Sequence, residues 1–389
     1  GINLLPLATF ALRVYKDDPC ECFKLKGEQN RDINEKQLEI RMHKAMSVIQ
    51  FKVEGQIIKK NPGFHLEDRN LLDKIDYERG VITLDGKEYE MLDINFPTID
   101  PKHPYALSKD EEEIMSRLES AFLNCEKLQD HMRFLLNKGG LYKVYNGNLL
   151  YHGCVPLKED GTLKSVRLYG RSYKGKSLYE VLESYVRKGF YALNKKEKER
   201  GKDMMWYIWL SENSPLFGKD KMATFERYFL AEKETHKEKK NPYYNLLENE
   251  KVINMILKEF GLTEESAHII NGHVPVKAIT GESPIKCNGK VLVIDGGFSR
   301  AYQKQTGIAG YTLIYNSYGL ILAAHEPFES TEAAIEKESD IHSDSVVVKR
   351  VLERKMVGDT DIGQELKEQI EDLKMLLQAY RSGEITERM

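Results

Sequence analysis

The spacing of apolar residues predicts two long amphipathic helices before residue 140. In both segments apolar side chains recur at three- and four-residue steps, as they do along one face of a helix. We expect the first helix to begin at Asn34 and to end no later than Gly63, and the second to cover about Asp110–Asn137. The charged faces of both helices are expected to contact solvent.

A β-hairpin is predicted between the two helices. Val81–Leu84 and Lys87–Leu92 flank Asp85-Gly86, a dipeptide that favours tight hairpin turns. The region from residue 30 to residue 140 is therefore interpreted as a mostly helical insertion with a hairpin.

After residue 140, short apolar runs alternate with helical patterns, which predicts an α/β layered core. The last sixty residues are rich in Glu and Lys and are predicted to form helices that suit packing on a neighbouring subunit. The expected segments are 1–29, 30–140, 141–328 and 329–389. The predicted elements of the core are strands at Leu149–Tyr151, Met204–Leu210, His268–Ile270 and Val291–Ile294, helices at Ser177–Lys188 and Tyr244–Phe260, and a hairpin of Tyr311–Tyr315 with Leu320–Ala324.

Composition and charge narrow the function classes. The 389 residues are 41% hydrophobic and 31% charged, which is typical of a globular protein with a substantial core. The net charge of −3 gives no indication of a nucleic-acid or membrane-surface partner. No apolar run approaches the roughly 20 residues that cross a bilayer. The mixed charge runs Asn194–Gly201 and Glu232–Lys240 are interpreted as solvated surface rather than polyanion sites.

The five cysteines are odd in number and are predicted to be reduced thiols of an intracellular protein. The chain starts at Gly1 rather than Met, which suggests a tag remnant or a cut chain.

Three junctions at predicted strand ends carry candidate chemistry: His152-Gly153, Gly272-His273 and Asp295-Gly296-Gly297. A neutral imidazole at a rigid strand end can ligate a divalent ion such as Mn²⁺ or Zn²⁺. The neighbouring glycines let the backbone approach closely. A histidine beside glycine is also a frequent structural residue, and Asp295 suits either a partner that orients a metal-binding histidine or a strand-end cap.

The order of these motifs resembles the second half of the calcineurin-like metallophosphoesterases. The resemblance implies a layered β-sandwich core flanked by helices, with His152 and His273 as ligands of a two-metal site. More specifically, the chain is similar to the class III fructose-1,6-bisphosphatases of Firmicutes. The runs that carry this similarity are Gly1–Ala11, Ser214–Arg227, Asn271–Lys277, Gly296–Gln303 and Ala323–Phe328.

The resemblance implies hydrolysis of the 1-phosphate of fructose 1,6-bisphosphate with Mn²⁺ or another divalent metal pair. It also implies a gluconeogenic role and a cytoplasmic setting, while the C-terminal helices favour a homo-oligomer. The cations expected to position the substrate are Arg300, Lys277, Lys219, Lys221 and Arg227.

The sequence departs from the family in its metal-binding motifs. It contains no Gly-Asp-x-x-Asp-Arg and no Gly-Asn-His-Asp/Glu, and its Asp340-Ile341-His342 lies in a charged stretch without a preceding apolar strand. We therefore expect the chain to be the C-terminal part of the enzyme, dependent on a missing N-terminal segment for the remaining ligands. Two rival interpretations stay open: another calcineurin-like phosphatase, and an inactive fragment that acts as an assembly piece.

Overall fold

Helices and several separate β-sheets make up the chain, a mixed α/β architecture. The computed structural model describes residues 3–24, 33–263, 265–297, 299–328, 330–336, 338, 343–351 and 353–386. The side chains at positions 300 and 301 lie outside this description, as do Gly1, Ile2 and the Asp340-Ile341-His342 run. Among the described residues, none of the helices combines the length and apolar character that a bilayer-spanning segment requires.

Helices and a hairpin occupy the first 140 residues, which include the region 30–140 for which both were predicted. The first long helix ends at Lys60, directly before Asn61-Pro62, and the second is two helices because the chain leaves helical geometry at Asn124-Cys125. The first of these two shorter helices starts at a capping box, in which the Ser108 hydroxyl accepts from the Glu111 N–H. The elements are α1 (Leu5–Val14), α2 (Ile33–Lys60), β1 (Ile75–Asp76), β2 (Val81–Leu84), β3 (Lys87–Glu90), α3 (Lys109–Leu123) and α4 (Glu126–Lys138).

The prediction that the charged faces of these helices contact solvent is wrong for some of their charged residues. Lys44 and Lys52 of α2 are fully buried, and so is Glu111 of α3. Each ammonium group is buried because carboxylates reach it from other segments: Asp18 and Asp93 for Lys44, and Glu111 for Lys52. Hydrophobic residues from this region also share one core with Phe225 and Phe229, far along the chain.

A five-stranded mixed sheet forms the centre of the next region, in the order β4-β5-β8-β10-β9. Its three inner strands β5, β8 and β10 run parallel, and they are apolar and buried because neighbours cover them on both faces. The elements are β4 (Tyr142–Tyr145), β5 (Asn148–Tyr151), β6 (Val166–Leu168), β7 (Arg171–Tyr173), α5 (Gly175–Tyr191), α6 (Lys195–Leu210), α7 (Thr224–Phe229), α8 (Glu250–Glu259), β8 (His268–Asn271), β9 (Ile285–Lys286) and β10 (Val291–Val293).

The predicted strand Met204–Leu210 is wrong, because these residues are the second half of helix α6. The charge run before them is the first half of the same helix, capped by the Asn194 side chain, which accepts from the Glu197 N–H. Close contact with α5 decides the outcome: a Cβ added to Gly201 would lie 2.2 Å from the Gly189 nitrogen. The apolar half of α6 is therefore a helix face packed on α5.

The predicted helix Tyr244–Phe260 is shorter than expected. A 3₁₀ turn covers Pro242–Asn245, and α8 begins only after Asn249. The Asn249 side chain accepts from the backbone N–H groups of Lys251 and Val252, which makes it the cap where the helix starts.

The predicted hairpin near residue 318 is confirmed, and it gains a third strand that the sequence analysis missed. The run Ser343–Arg350 was expected to be helical but pairs with the hairpin as a strand, since its valines are β-branched and favour extended backbone. The elements are α9 (Arg300–Thr306), β11 (Gly310–Asn316), β12 (Gly319–His325), α10 (Thr331–Glu336), β13 (Ser343–Arg350) and α11 (Asp361–Ser382).

Candidate functional site

The three predicted junctions lie at the same end of the five-stranded sheet, where its parallel inner strands finish. Because β5, β8 and β10 are parallel neighbours, the residues after each strand lie side by side. The Gly272 N–H donates to the His152 carbonyl at 2.8 Å, and the Ile294 N–H donates to the Asn271 carbonyl at 2.9 Å. The structure therefore brings His152, His273 and Asp295 to adjacent strand ends.

The two imidazoles are in direct contact. His152 Nε2 and His273 Nδ1 are 2.9 Å apart, and the ring centroids are 4.8 Å apart. In the neutral pair one of these nitrogens donates and the other accepts. His273 has a left-handed backbone, with a φ of 67°, which is strained for a residue with a side chain and is held by its neighbours.

Two glycines make this close approach possible. A Cβ on Gly153 would lie 2.5 Å from the Pro215 carbonyl oxygen, and a Cβ on Gly272 would lie 3.3 Å from the Asp295 Cβ. The Cys154 N–H donates to the same Pro215 carbonyl at 2.9 Å. The loop after α6 is thus pressed against the strand ends beside the imidazoles.

Both imidazoles favour the neutral state. Burial lowers the pKa of His152, and the Asp295 carboxylate opposes this change. Burial also lowers the pKa of His273, the His152 ring and the Lys219 ammonium lower it further, and the Phe217 backbone and Asp295 oppose them. A neutral imidazole offers a lone pair, which is the form that ligates metal ions.

The donor set fits a borderline divalent ion. His273 Nε2 is buried and makes no hydrogen bond of standard geometry among the described residues, although the Phe217 backbone is close enough to affect the pKa of the ring. The described residues contain no group of three or more His, Cys, Asp or Glu side chains placed to hold a metal. Two imidazoles alone would supply only part of the ligand set that a metal ion requires.

The predicted cations differ in their surroundings. The Glu238 carboxylate pairs with Lys219 at 2.8 Å and with Arg227 at 3.1 Å. Lys221 lies 3.7 Å from Glu226, a carboxylate that also binds Arg69. Among the described side chains of this group, Lys219 is the one whose charge lowers the pKa of His273.

Lys277 and Arg300 are the remaining two predicted cations. Lys277 is exposed, and its backbone N–H donates to Glu282. Arg300 begins helix α9, but its side chain is outside the described part of the chain. The substrate-binding roles of all five cations stay predictions.

One residue beside the imidazoles and one residue of a neighbouring loop were missed by the sequence analysis. Asn271 is buried and its amide nitrogen donates to the Gly153 carbonyl at 3.0 Å, which links two strand ends. Its position inside the Asn-Gly-His run was a signal that could have been used. Lys240 was treated as one residue of a solvated charge run, and no local pattern shows that it lies opposite Lys219.

Comparison with known proteins identifies close relatives. A family model described as Firmicute fructose-1,6-bisphosphatase matches residues 1–382. The chain is 57% identical over 393 residues to the class 3 fructose-1,6-bisphosphatase of Alkaliphilus metalliredigens. It is 57% identical over 389 residues to that of Clostridioides difficile and 56% identical over 391 residues to that of Clostridium novyi. All of the chain is aligned in each case, and it spans 59% of each relative's length. No solved structure gives a significant match.

Proposed function

Because the chain belongs to the Firmicute fructose-1,6-bisphosphatase family, we propose that it supplies part of the active site that hydrolyses the 1-phosphate of fructose 1,6-bisphosphate. The observation that carries this proposal is the 2.9 Å contact between His152 and His273 at the ends of parallel strands. These positions lie 121 residues apart in the chain and are brought together by the parallel pairing of β5 with β8.

In this proposal His152 and His273 hold a divalent ion, Mn²⁺ or another metal of similar ligand preference. Partial burial lowers the pKa of both rings, which favours the neutral form that can ligate a metal. Asp295 orients the rings electrostatically, while one of its oxygens accepts from the Gly297 N–H at 2.9 Å. When bound, a pair of divalent ions stabilises charge on phosphoryl oxygens and lowers the pKa of water.

The proposal requires more ligands than this chain places at the site. A two-metal centre needs donors on both ions, and no third metal-binding side chain joins the imidazole pair among the described residues. The relatives are longer proteins, of which the chain spans 59%. We infer that the other ligands come from a segment corresponding to the relatives' additional length.

The additional length of the relatives also bears on how the sheets of the core are arranged. We propose that the five-stranded sheet is one layer of a calcineurin-like sandwich, with the second layer completed by that additional segment. The parallel centre of the sheet, with the candidate ligands at its strand ends, supports this arrangement. It is the position at which α/β proteins place their ligands.

A homo-oligomer in the cytoplasm is the proposed setting. Helix α11 exposes a row of large apolar side chains that no described neighbour covers, as expected of an interface. Each of the five cysteines is a free thiol, as is usual in a reducing compartment. Light scattering of the purified chain tests the oligomer. The exposed residues of this row are Ile362, Leu366, Ile370, Leu373, Leu377 and Tyr380.

The test is hydrolysis of fructose 1,6-bisphosphate with added Mn²⁺, using the chain alone and the chain mixed with the additional segment of the Clostridioides difficile relative. We expect turnover only in the mixture, and loss of turnover when His152→Ala or His273→Ala is introduced. Turnover by the chain alone would contradict the incomplete site. A mixture that assembles without turnover would favour the assembly-piece interpretation, and preference for another phosphoester in a substrate panel would favour a different phosphatase.

A further inference from the structure

A groove of about 1040 Å³, which we call the β4 groove, lies beside the edge strand of the five-stranded sheet. Tyr142 and Val144 of β4 and Phe260 at the end of α8 give it an apolar lining. Among the described residues β4 pairs only with β5, so its second edge is unpaired. Proteins often cover such an edge with a helix, because exposed backbone groups otherwise pair with other chains. A helix is therefore an occupant that suits this groove.

The walls of the β4 groove are joined by one arginine. The Arg187 guanidinium donates to the Gly139 carbonyl at 3.1 Å and to the Glu183 carboxylate at 2.6 Å. The second oxygen of Glu183 accepts from the Leu141 N–H at 3.0 Å. These contacts connect α5 to the segment between α4 and β4. The groove is therefore a fixed part of the fold.

Among the described residues, two lysines that line the β4 groove have no carboxylate partner. Lys138 makes no ion pair there, and the Lys143 ammonium lies 5.1 Å from the centroid of the Tyr145 ring. The carboxylates that line the groove are already paired with cations, so its unpaired charges are positive. These pairs are Glu180 with Lys176, Glu183 with Arg187 and Glu197 with Lys188.

Helix α11 is anchored at its start, close to the β4 groove. The Asp361 N–H donates to the Asn146 side chain at 3.0 Å, and the Asn146 N–H donates to the Asp361 carboxylate at 2.8 Å. Asn146 directly follows β4, yet no described residue of α11 lines the groove. Of the residues of this helix, all of which are described, only Gly363 is buried. The helix thus starts beside the groove without covering it.

The exposed surface of α11 carries an apolar stripe with carboxylates along one side. Glu365 and Asp372 are seven residues apart and follow the same side of the stripe. Among the described residues they make no ion pair. The stripe suits the apolar lining of the β4 groove, and its carboxylates suit the two unpaired lysines. The residues of the α11 stripe, which recur at steps of three and four, are Leu366, Ile370, Leu373, Leu377 and Tyr380.

Pairing of α11 with α11 of another copy suits the stripe less well. The stripe covers about two heptads, fewer than the roughly three to four that indicate a coiled coil. Its other side carries Lys367, Lys374 and Arg381, so two antiparallel helices would bring these cations together. The β4 groove of a second copy instead places unpaired lysines near the carboxylate side of the stripe.

We propose that α11 of one copy binds in the β4 groove of a second copy, and that the second α11 binds in the first groove in return. This inference rests on the homo-oligomer of the proposed function and names the contact that forms it. Each helix starts beside its own groove, so both contacts form around a single two-fold axis. The stripe then covers the open edge of β4, with its carboxylates near Lys138 and Lys143.

The test is sedimentation equilibrium of the 389-residue chain and of two charge-reversed chains. The groove-reversed chain carries Lys138→Glu with Lys143→Glu, and the helix-reversed chain carries Glu365→Lys with Asp372→Lys. We expect the unmodified chain to be a dimer. Either reversed chain should dissociate at a concentration at least about tenfold higher, because like charges then face each other.

A mixture of the two reversed chains provides the decisive measurement. Both helix–groove contacts of the mixed dimer join opposite charges, so the equimolar mixture should associate with about the affinity of the unmodified chain. The matched control is Lys102→Glu with Lys109→Glu, two exposed lysines of the helical region, which should dimerise as the unmodified chain does.

Three outcomes would overturn the contact between α11 and the β4 groove. A dimer that the groove reversal leaves unchanged would show that another surface forms it. A monomeric unmodified chain would show that α11 lies in its own groove or that the relatives' additional segment covers it. Reversed chains that stay apart when mixed would exclude pairing of these charges, provided that thermal unfolding shows each chain to be folded. None of these measurements needs metal or turnover, so loss of the proposed bisphosphatase activity would leave this contact standing.

Discussion

Ionisable side chains meet in two regions of this molecule, and the two regions differ in how completely these side chains are paired. In the helical region the Lys52 ammonium contacts the Glu111 carboxylate at 2.8 Å and the Thr98 carbonyl at 2.6 Å, with both charged side chains fully buried. At the strand ends the His152 and His273 rings contact each other, and His273 Nε2 has no described partner. The first network is satisfied within the chain, whereas the second is open.

This difference separates ionisable groups that stabilise the fold from groups that are available to bind a ligand. A buried ion pair whose hydrogen bonds are all made stabilises one folded arrangement. Removal of one partner leaves the other charge buried and uncompensated. An unpartnered imidazole nitrogen has a cost that a bound metal can repay. Mutations should therefore change stability in the helical region and ligand binding at the strand ends.

The largest expected effect is on the buried lysine of α2. Lys52→Met should lower the free energy of unfolding by about 3–5 kcal/mol, because it leaves the Glu111 charge buried without a partner. Urea unfolding measures this change. The control is Lys59→Met, whose pair with Asp73 at 3.0 Å is exposed and should be worth less than about 1 kcal/mol.

A double variant sharpens this prediction. Lys52→Met with Glu111→Gln should be more stable than Lys52→Met alone, because glutamine removes the charge and can still accept from the Ser108 N–H. Equal loss in the single and double variants would show that packing rather than charge dominates at this position.

A smaller effect on stability and a clear effect on binding are expected at the strand ends. His273→Ala should change the free energy of unfolding by less than about 1 kcal/mol, because its ring is only half-buried and already lacks one partner. It should weaken Mn²⁺ binding by at least about tenfold, as measured by electron paramagnetic resonance of free Mn²⁺. Unchanged Mn²⁺ affinity would remove the distinction between the two regions.

The smallest expected effect concerns His268 of β8, a buried imidazole outside the candidate site. Its Nδ1 contacts the Gly289 carbonyl at 2.8 Å, and burial lowers its pKa below the usual 6.5, with Lys349 and Lys355 adding to burial and the Gly289 carbonyl opposing it. The unfolded chain then binds a proton more readily, so stability is lost as the pH falls below about 6.5.

Replacement of this ring tests that pH dependence. The free energy of unfolding of His268→Gln should fall less between pH 7.5 and pH 5.5 than that of the unmodified chain. His43, His152 and His273 retain lowered pKa values, so part of the slope stays. An identical slope in both chains would assign the acid sensitivity to those other rings. His103→Gln, with an exposed ring, is the matched control.

Local patterns predicted the elements whose geometry depends on neighbours in the chain. The hairpin at Asp85-Gly86 is confirmed because both residues adopt positive φ, at 51° and 79°, as the dipeptide favours. The end of α2 before Pro62 is confirmed for the same kind of reason, since proline cannot continue a helix. Strand ends at His152 and Gly272 also followed from short apolar runs bounded by glycine.

Elements that depend on distant partners were predicted less well. The apolar run Met204–Leu210 is equally compatible with a strand and with one face of a helix, and its contact with α5 at Gly189 selects the helix. Residues 343–350 form a strand because the β11–β12 hairpin presents an edge to pair with. The spacing of apolar residues in the sequence shows which face of a helix or strand is buried. It does not show which other element covers that face.

The sequence by itself determined which residues can ligate a metal and that they follow strands, since imidazole chemistry and short apolar runs are local properties. Only the tertiary structure decided that His152 meets His273, that Lys240 lies opposite Lys219, and that Lys52 is buried against Glu111. Each of these contacts joins positions far apart in the chain. Their distances are set by how parallel strands, loops and helices pack together, a balance of burial and pairing that no local pattern contains.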